Sequence, residues 1–110
     1  MDPSLEKVYS YLESQQENMV GDLMELLAID SVRSEPCDGM PFGKGPAAAL
    51  EYCLELGRKQ GFDTGNMEGY VGTIDLPGKD SAQLGILSHV DVVPAEALLR
   101  RAHKDTYKRV

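Results

Sequence analysis

"QLGILSHVDVV", residues 83–93, decides how the rest of the chain folds. Leu84, Ile86, Leu87, Val90, Val92 and Val93 leave few polar positions, as in a central strand covered on both faces. Upstream, "GYVGTIDL", residues 69–76, also reads as a strand, and Pro77-Gly78 with the polar residues that follow can turn the chain back between the two. Ile86 and Leu87, being consecutive in a strand, point to opposite faces, and each needs its own cover.

That cover is expected from helices. Asp2 can cap the free N–H groups of a first helix and Pro3 fits its first turn. Leu5, Val8, Leu12, Met19, Leu23 and Leu26 recur at spacings that share one face, which predicts a helix to about Ala28 with a bend at Gly21. "SVRSEPCDGMPFGKGP", residues 31–46, reads as a loop. A second helix follows over "AAALEYCLELGRKQ", with Pro46 in its first turn and Gly61 as its stop. Helices packed on a sheet make an α/β or α+β layer. Two strands are fewer than a stable sheet needs, so the expectation is two helices packed on an incomplete sheet, held at 84–88. An open edge on such a sheet invites self-association.

Composition narrows the classes. A chain of 110 residues is at most one small domain. With 42% hydrophobic and 26% charged residues it matches ordinary globular proteins, not disordered or fibrous ones. No run approaches the roughly 18 apolar residues of a membrane helix. The first residues have neither a basic leader nor an apolar core, so no secretory signal is expected and a cytoplasmic location is. Cys37 and Cys53 are too far apart for a close-spaced metal or redox pair, and read as unpaired thiols of a reducing compartment. The net charge is −7, yet residues 1–94 hold 6 basic and 16 acidic side chains while residues 95–110 hold 5 and 2. An acidic body disfavours nucleic acid, whose phosphates require Lys and Arg. The charge reversal sets residues 96–110 apart as a basic tail. Its Leu98, Leu99, Ala102 and Val110 form no sustained stripe, so it has little apolar area to bury.

Two stretches invite a chemical reading. "FGKG", residues 42–45, resembles part of a phosphate loop, but Gly39 to Gly43 is one residue short, Gly45 stands where a hydroxyl belongs, and no strand precedes it. It reads as a glycine-rich connection. His89 and Asp91 are different, because they end the apolar run. Neutral imidazole is a common zinc ligand, and a ligating His usually donates its other ring N–H to a carboxylate or carbonyl that fixes its orientation. Residues two apart in an extended chain share a side, so Asp91 can serve His89 in this way. His103-Lys104-Asp105 repeats the spacing without the strand, which shows that spacing alone decides little. Glu96, His103 and Asp105 could add ligands, but nothing in their setting supports it.

"GILSHVDVVPA", residues 85–95, strongly resembles the first metal motif of the co-catalytic zinc metallopeptidases, a family that includes aminoacylases, glutamate carboxypeptidases and bacterial dipeptidases. "LMELLAIDSVRSEP", "PFGKGPAAALEYCLELGRKQGF" and "MEGYVGTIDL" extend the resemblance toward the bacterial Xaa-His dipeptidase branch. It covers roughly residues 1–95. The resemblance implies that His89 is a zinc ligand, that Asp91 orients it, that the cofactor is a pair of zinc ions, and that the substrate is a dipeptide. It stops after Ala95, where the family usually continues with a glycine and a tryptophan and this chain has "EALLRRAHKDTYKRV". The family's bridging carboxylate, paired glutamates and second histidine have no counterpart here.

The expectation is therefore a partial metallopeptidase catalytic domain over 1–95, the N-terminal portion of a zinc dipeptidase, followed by an unrelated tail over 96–110. A single His with its orienting Asp cannot fill a zinc site, so the chain alone is expected to bind zinc weakly and to lack peptidase activity. Dipeptide is the expected small-molecule partner, with no nucleic acid and no membrane. The alternative is a non-catalytic interaction module that uses an open sheet edge or the basic tail.

Overall fold

A computed structural model describes residues 2–94. They form a small α/β architecture of three helices and one two-stranded antiparallel sheet: α1 (Pro3–Ser14), α2 (Gln16–Leu27), α3 (Lys44–Lys59), β1 (Asp63–Met67) and β2 (Val71–Asp75). The boundary expected near residue 95 and the whole basic tail, with Glu96, His103 and Asp105, lie outside the described residues.

The first helix starts as its sequence predicts. Asp2 caps it, its carboxylate accepting from the Ser4 N–H at 2.9 Å, and Pro3 is the first helical residue. It does not continue to Ala28 with a bend at Gly21. The helix breaks at Gln15, between α1 and α2, and Gly21 sits inside α2 with open space where a side chain would be. Just before the break the Ser14 hydroxyl donates to the Tyr11 carbonyl at 2.6 Å, and that carbonyl also accepts the Gln15 N–H at 3.1 Å. Neither α1 nor α2 contains a buried residue.

α3 carries the core. Pro46, Ala49, Leu54 and Gly57 are buried along it, with Ala49 fully covered and Leu54 only 2% exposed. The helix ends as Gly61 predicts. With Gly61 at φ +87°, its N–H bonds the Arg58 carbonyl and the Phe62 N–H reaches back to Gly57, which closes the last turn. The chain then enters β1, a strand absent from the sequence-based expectation. β1 pairs with β2 from Asp63↔Asp75 to Met67↔Val71. Thr, Gly and Asn in "DTGNM" are poor strand signals, so the pairing here comes from the turn and from the helix beneath it. The turn places both Glu68 (φ +56°) and Gly69 (φ +81°) in the left-handed region, and Asn66 steadies it by accepting the Gly69 N–H at 2.8 Å.

Helix and hairpin meet through small residues. A Cβ at Gly72 would stand 2.6 Å from Leu50 Cδ1, and one at Gly57 would stand 3.1 Å from Ile74 Cγ2. The bare backbones let α3 approach closely enough to bury Leu54. A second link joins α3 to α2: the Tyr52 hydroxyl donates to Glu25 Oε2 at 2.6 Å, with the Asp22 carbonyl at 3.2 Å. Arg58 pairs with Glu51 and Glu55 on the outer face of α3.

The expected central strand at 83–93 is corrected by the structure. That segment forms no regular strand, and among the described residues its one β contact is an isolated parallel bridge between Val92 and Val32. Leu84, Ile86 and Leu87 are 90%, 87% and 100% exposed. The helices therefore do not pack on 84–88; the core lies between α3 and the hairpin. The hairpin joins 63–67 to 71–75 and not 69–76 to 83–93, because a three-residue turn places the nearer segment in register.

Two predictions follow from the packing. Leu54→Ala costs about 2–5 kcal/mol in denaturant unfolding, while Leu87→Ala, at a fully exposed position, changes stability by less than about 0.5 kcal/mol. Equal costs would place the core elsewhere. The second concerns alkaline pH. The hydrogen bond to Glu25, its largest cause, raises the Tyr52 hydroxyl from 10.0 to about 12. A value raised on folding contributes stability fully below pH 10 and loses it as the pH rises toward 12. Tyr52→Phe is expected to flatten the unfolding midpoint across that window, read by chemical denaturation at pH 9, 10, 11 and 12.

Candidate metal-ligating site

The position of His89 and Asp91 is set by a loop far upstream of them in the sequence. Residues 30–43 connect α2 to α3 and fold back on themselves. Asp30 Oδ1 accepts from the Val32 N–H at 3.3 Å, the Ser34 N–H donates to the Phe42 carbonyl at 2.9 Å, and Cys37 and Met40 exchange backbone bonds at 3.1 and 2.8 Å. The loop is fastened to the hairpin by an edge-to-face contact between Phe42 and Tyr70, with ring centroids 5.5 Å apart at 87°. The Arg33 guanidinium lies over the same Phe42 ring at 5.5 Å. Ser31 is buried, and its carbonyl accepts the Val92 N–H at 3.3 Å. Through that bond and the Val32–Val92 bridge, the segment bearing His89 and Asp91 is tied to the loop.

Within the segment, the structure brings His89 and Asp91 together. His89 Nδ1 lies 3.1 Å from Asp91 Oδ1 and 3.0 Å from the Asp91 carbonyl oxygen. Both oxygens are acceptors, so the geometry favours the tautomer in which Nδ1 carries the proton. Nε2 stays outside this contact, on a ring that is 82% exposed. A histidine held this way offers one lone pair in a defined direction. Among the described residues, no group of three or more His, Cys, Asp or Glu side chains is placed to hold a metal ion. Two hollows of the described surface lie elsewhere, one lined by Pro36, Cys37, Met40 and Tyr70 and the other between α1–α2 and α3.

The remaining sequence candidates are placed as follows. Gly43 and Lys44 stand at the start of α3, after a turn and not after a strand, so "FGKG" is not arranged as a phosphate loop. Its glycines serve packing, since the chain at Gly45 runs directly against the Asp30 carbonyl. Cys37 and Cys53 are both free thiols. Burial pushes the Cys53 thiol up, which makes it less nucleophilic. Ser31, Arg33 and Phe42, the residues that support the candidate site, are missed by sequence reasoning. A serine in a loop carries no signal of burial, and Arg33 and Phe42 are nine positions apart in a glycine- and proline-rich stretch without periodicity.

Comparison with known proteins adds an independent finding. The chain is 44% identical over 81 residues to the Bacillus subtilis protein named "Putative dipeptidase YtjP", a match covering 72% of this chain and 17% of that protein. It is 42% identical over 92 residues to a Staphylococcus aureus (strain USA300) protein also named as a dipeptidase, covering 82% of this chain and 19% of that one. The chain thus spans less than a fifth of the length of these relatives. No family model matches it. Identity at this level over most of the chain is homology, and it makes the chain a dipeptidase-family sequence over the matched stretch.

The tautomer is measurable. Nitrogen-15 NMR of the His89 imidazole at pH 8 is expected to show the Nδ1–H form predominating, and Asp91→Ala to lower its share. A spectrum unchanged by Asp91→Ala would remove the orienting contact.

Proposed function

We propose, proceeding from the relationship of this chain to the dipeptidases, that it carries the first metal-ligating strand of a zinc-dependent dipeptidase, with His89 as a zinc ligand and Asp91 as its positioning residue. The observation that supports this most is the Asp91 carboxylate on His89 Nδ1. A carboxylate there fixes the ring and presents Nε2 as the ligand atom. When bound, a zinc pair supplies a polarised scissile carbonyl and an activated water.

The residues present fit one part of such a site. Neutral histidine with an orienting carboxylate is the right donor chemistry, but zinc needs three or four protein ligands. Among the described residues no group of three or more such ligands is brought together. This chain's contribution is therefore to hold and aim one ligand. Hydrolysis requires the other ligands and the base from outside the described residues, and the chain by itself is inactive on dipeptides in this reading. Dipeptides are the substrate class by the names of the relatives. A cytoplasmic setting is part of the proposal and is supported by the two free thiols. No described helix is long and apolar enough to cross a membrane.

A chimera tests the assignment: the B. subtilis relative with its matched segment replaced by the corresponding residues of this chain. Zinc-dependent dipeptide hydrolysis is expected, abolished by His89→Ala and reduced about 10–100-fold by Asp91→Ala. Hydrolysis that survives His89→Ala would overturn the ligand role. In calorimetry, the chain alone is expected to bind zinc weakly and without fixed stoichiometry. Tight one-to-one binding lost in His89→Ala would instead mean that this chain completes a site by itself.

A further inference from the structure

Between its first two helices and its core the described chain leaves a hollow of about 940 Å³. Tyr52 crosses it, donating to Glu25 Oε2 at 2.6 Å and lying 3.2 Å from the Asp22 carbonyl. Leu12 and Met19 line one side and Leu56 and Phe62 the other. Leu12 and Met19 remain 46% and 57% exposed, so the packing of α2 on α3 does not close the gap. The charged lining is acidic on balance, with Asp22, Glu25 and Glu55 against Lys59. Among the described residues no buried side-chain polar atom lacks a partner, so the hollow holds no enclosed polar group aimed at a small ligand. Its mixed apolar and acidic walls suit a polypeptide that carries leucines and basic residues together.

We infer that the occupant is the chain's own basic tail, residues 95–110, with Leu98 and Leu99 against the apolar walls and Arg100 and Arg101 toward the carboxylates. Charge argues for it. The tail holds 5 basic and 2 acidic side chains and residues 1–94 hold 6 and 16, so a segment of net +3 meets a body of net −10. Order argues for it too, because "LLRR", residues 98–101, sets an apolar pair beside a basic pair. Reach permits it. The Val92 N–H is bonded to the Ser31 carbonyl, and Ser31 follows Glu25 by six residues, which keeps Val92 within roughly 20 Å of Glu25. The eight residues from Val92 to Arg100 span up to about 26 Å when extended. A tethered segment also holds an advantage over any free basic peptide or the tail of a second copy, since its effective concentration is on the order of millimolar. The tail has little apolar area, so the attraction is mainly electrostatic and is screened by salt. None of this depends on the dipeptidase reading.

The test is NMR with amide exchange on the full 110-residue chain. In about 20 mM salt the amides of the tail are expected to exchange at least about threefold more slowly than the intrinsic rate of the same sequence, and in about 0.5 M salt that protection is expected to be lost. Nuclear Overhauser contacts from the Leu98 or Leu99 methyls to the Phe62 ring are expected at low salt. Arg100→Glu/Arg101→Glu is expected to remove both signals, and adding Asp22→Lys/Glu55→Lys to restore them, with Glu25 left in place because it holds Tyr52. Unchanged exchange across 47–60 shows that each variant is folded, and the salt series on the unaltered chain decides the matter where one is not. A tail exchanging at its intrinsic rate in low salt overturns the inference. Protection that persists in 0.5 M salt or in the arginine variant does so as well, as does a folded charge-reversed pair that fails to regain the contacts to Phe62. Protection that rises with protein concentration, together with a dimer in sedimentation, assigns the hollow to the tail of a second copy and overturns docking within one chain.

Discussion

The close approach of α3 to the β1–β2 hairpin is the contact on which everything else hangs. It depends on two positions without side chains, Gly57 on the helix and Gly72 on the strand, facing Ile74 and Leu50. Because side chains of the opposite element lie directly against those bare backbones, Ala49 and Leu54 are sealed from water. A core of this size is small. Its modest area explains why the pieces around it are held by individual polar contacts, such as Tyr52 on Glu25, more than by broad apolar burial.

Support passes outward from that contact in a definite order. The hairpin positions Tyr70; Tyr70 holds the ring of Phe42; Phe42 receives the Ser34 N–H on its carbonyl and the Arg33 guanidinium on its face. The loop so fixed presents Ser31 and Val32 to Val92, the residue next to Asp91. The candidate ligand is therefore attached to the core through one loop and one backbone bond. The His89–Asp91 contact itself is local, made between neighbours in an extended chain, and needs little from the rest of the fold. Its direction in space does need it.

α1 and α2 illustrate the other side of the same balance. Their apolar residues fall at helical spacing, and the helices form, yet no residue in either is buried. Together with Leu84, Ile86 and Leu87 they leave many large apolar side chains exposed to water. The relatives that the chain matches are more than four times its length.

What the sequence by itself determined is everything local. The Asp2 cap, the Pro46 entry and Gly61 exit of α3, the glycine-rich connection before it, the Val71–Asp75 strand, and the His-x-Asp pair all follow from chemistry within a few residues, so periodicity and turn residues suffice to read them. The dipeptidase relationship was legible for the same reason, in short motifs whose order and spacing match. What tertiary structure decided is partnership. "DTGNM" became a strand because a turn and a helix surface held it against β2, despite its composition. "QLGILSHVDVV" has every property of a central strand except neighbours, and a strand is completed by hydrogen bonds to another segment, which its own residues cannot supply.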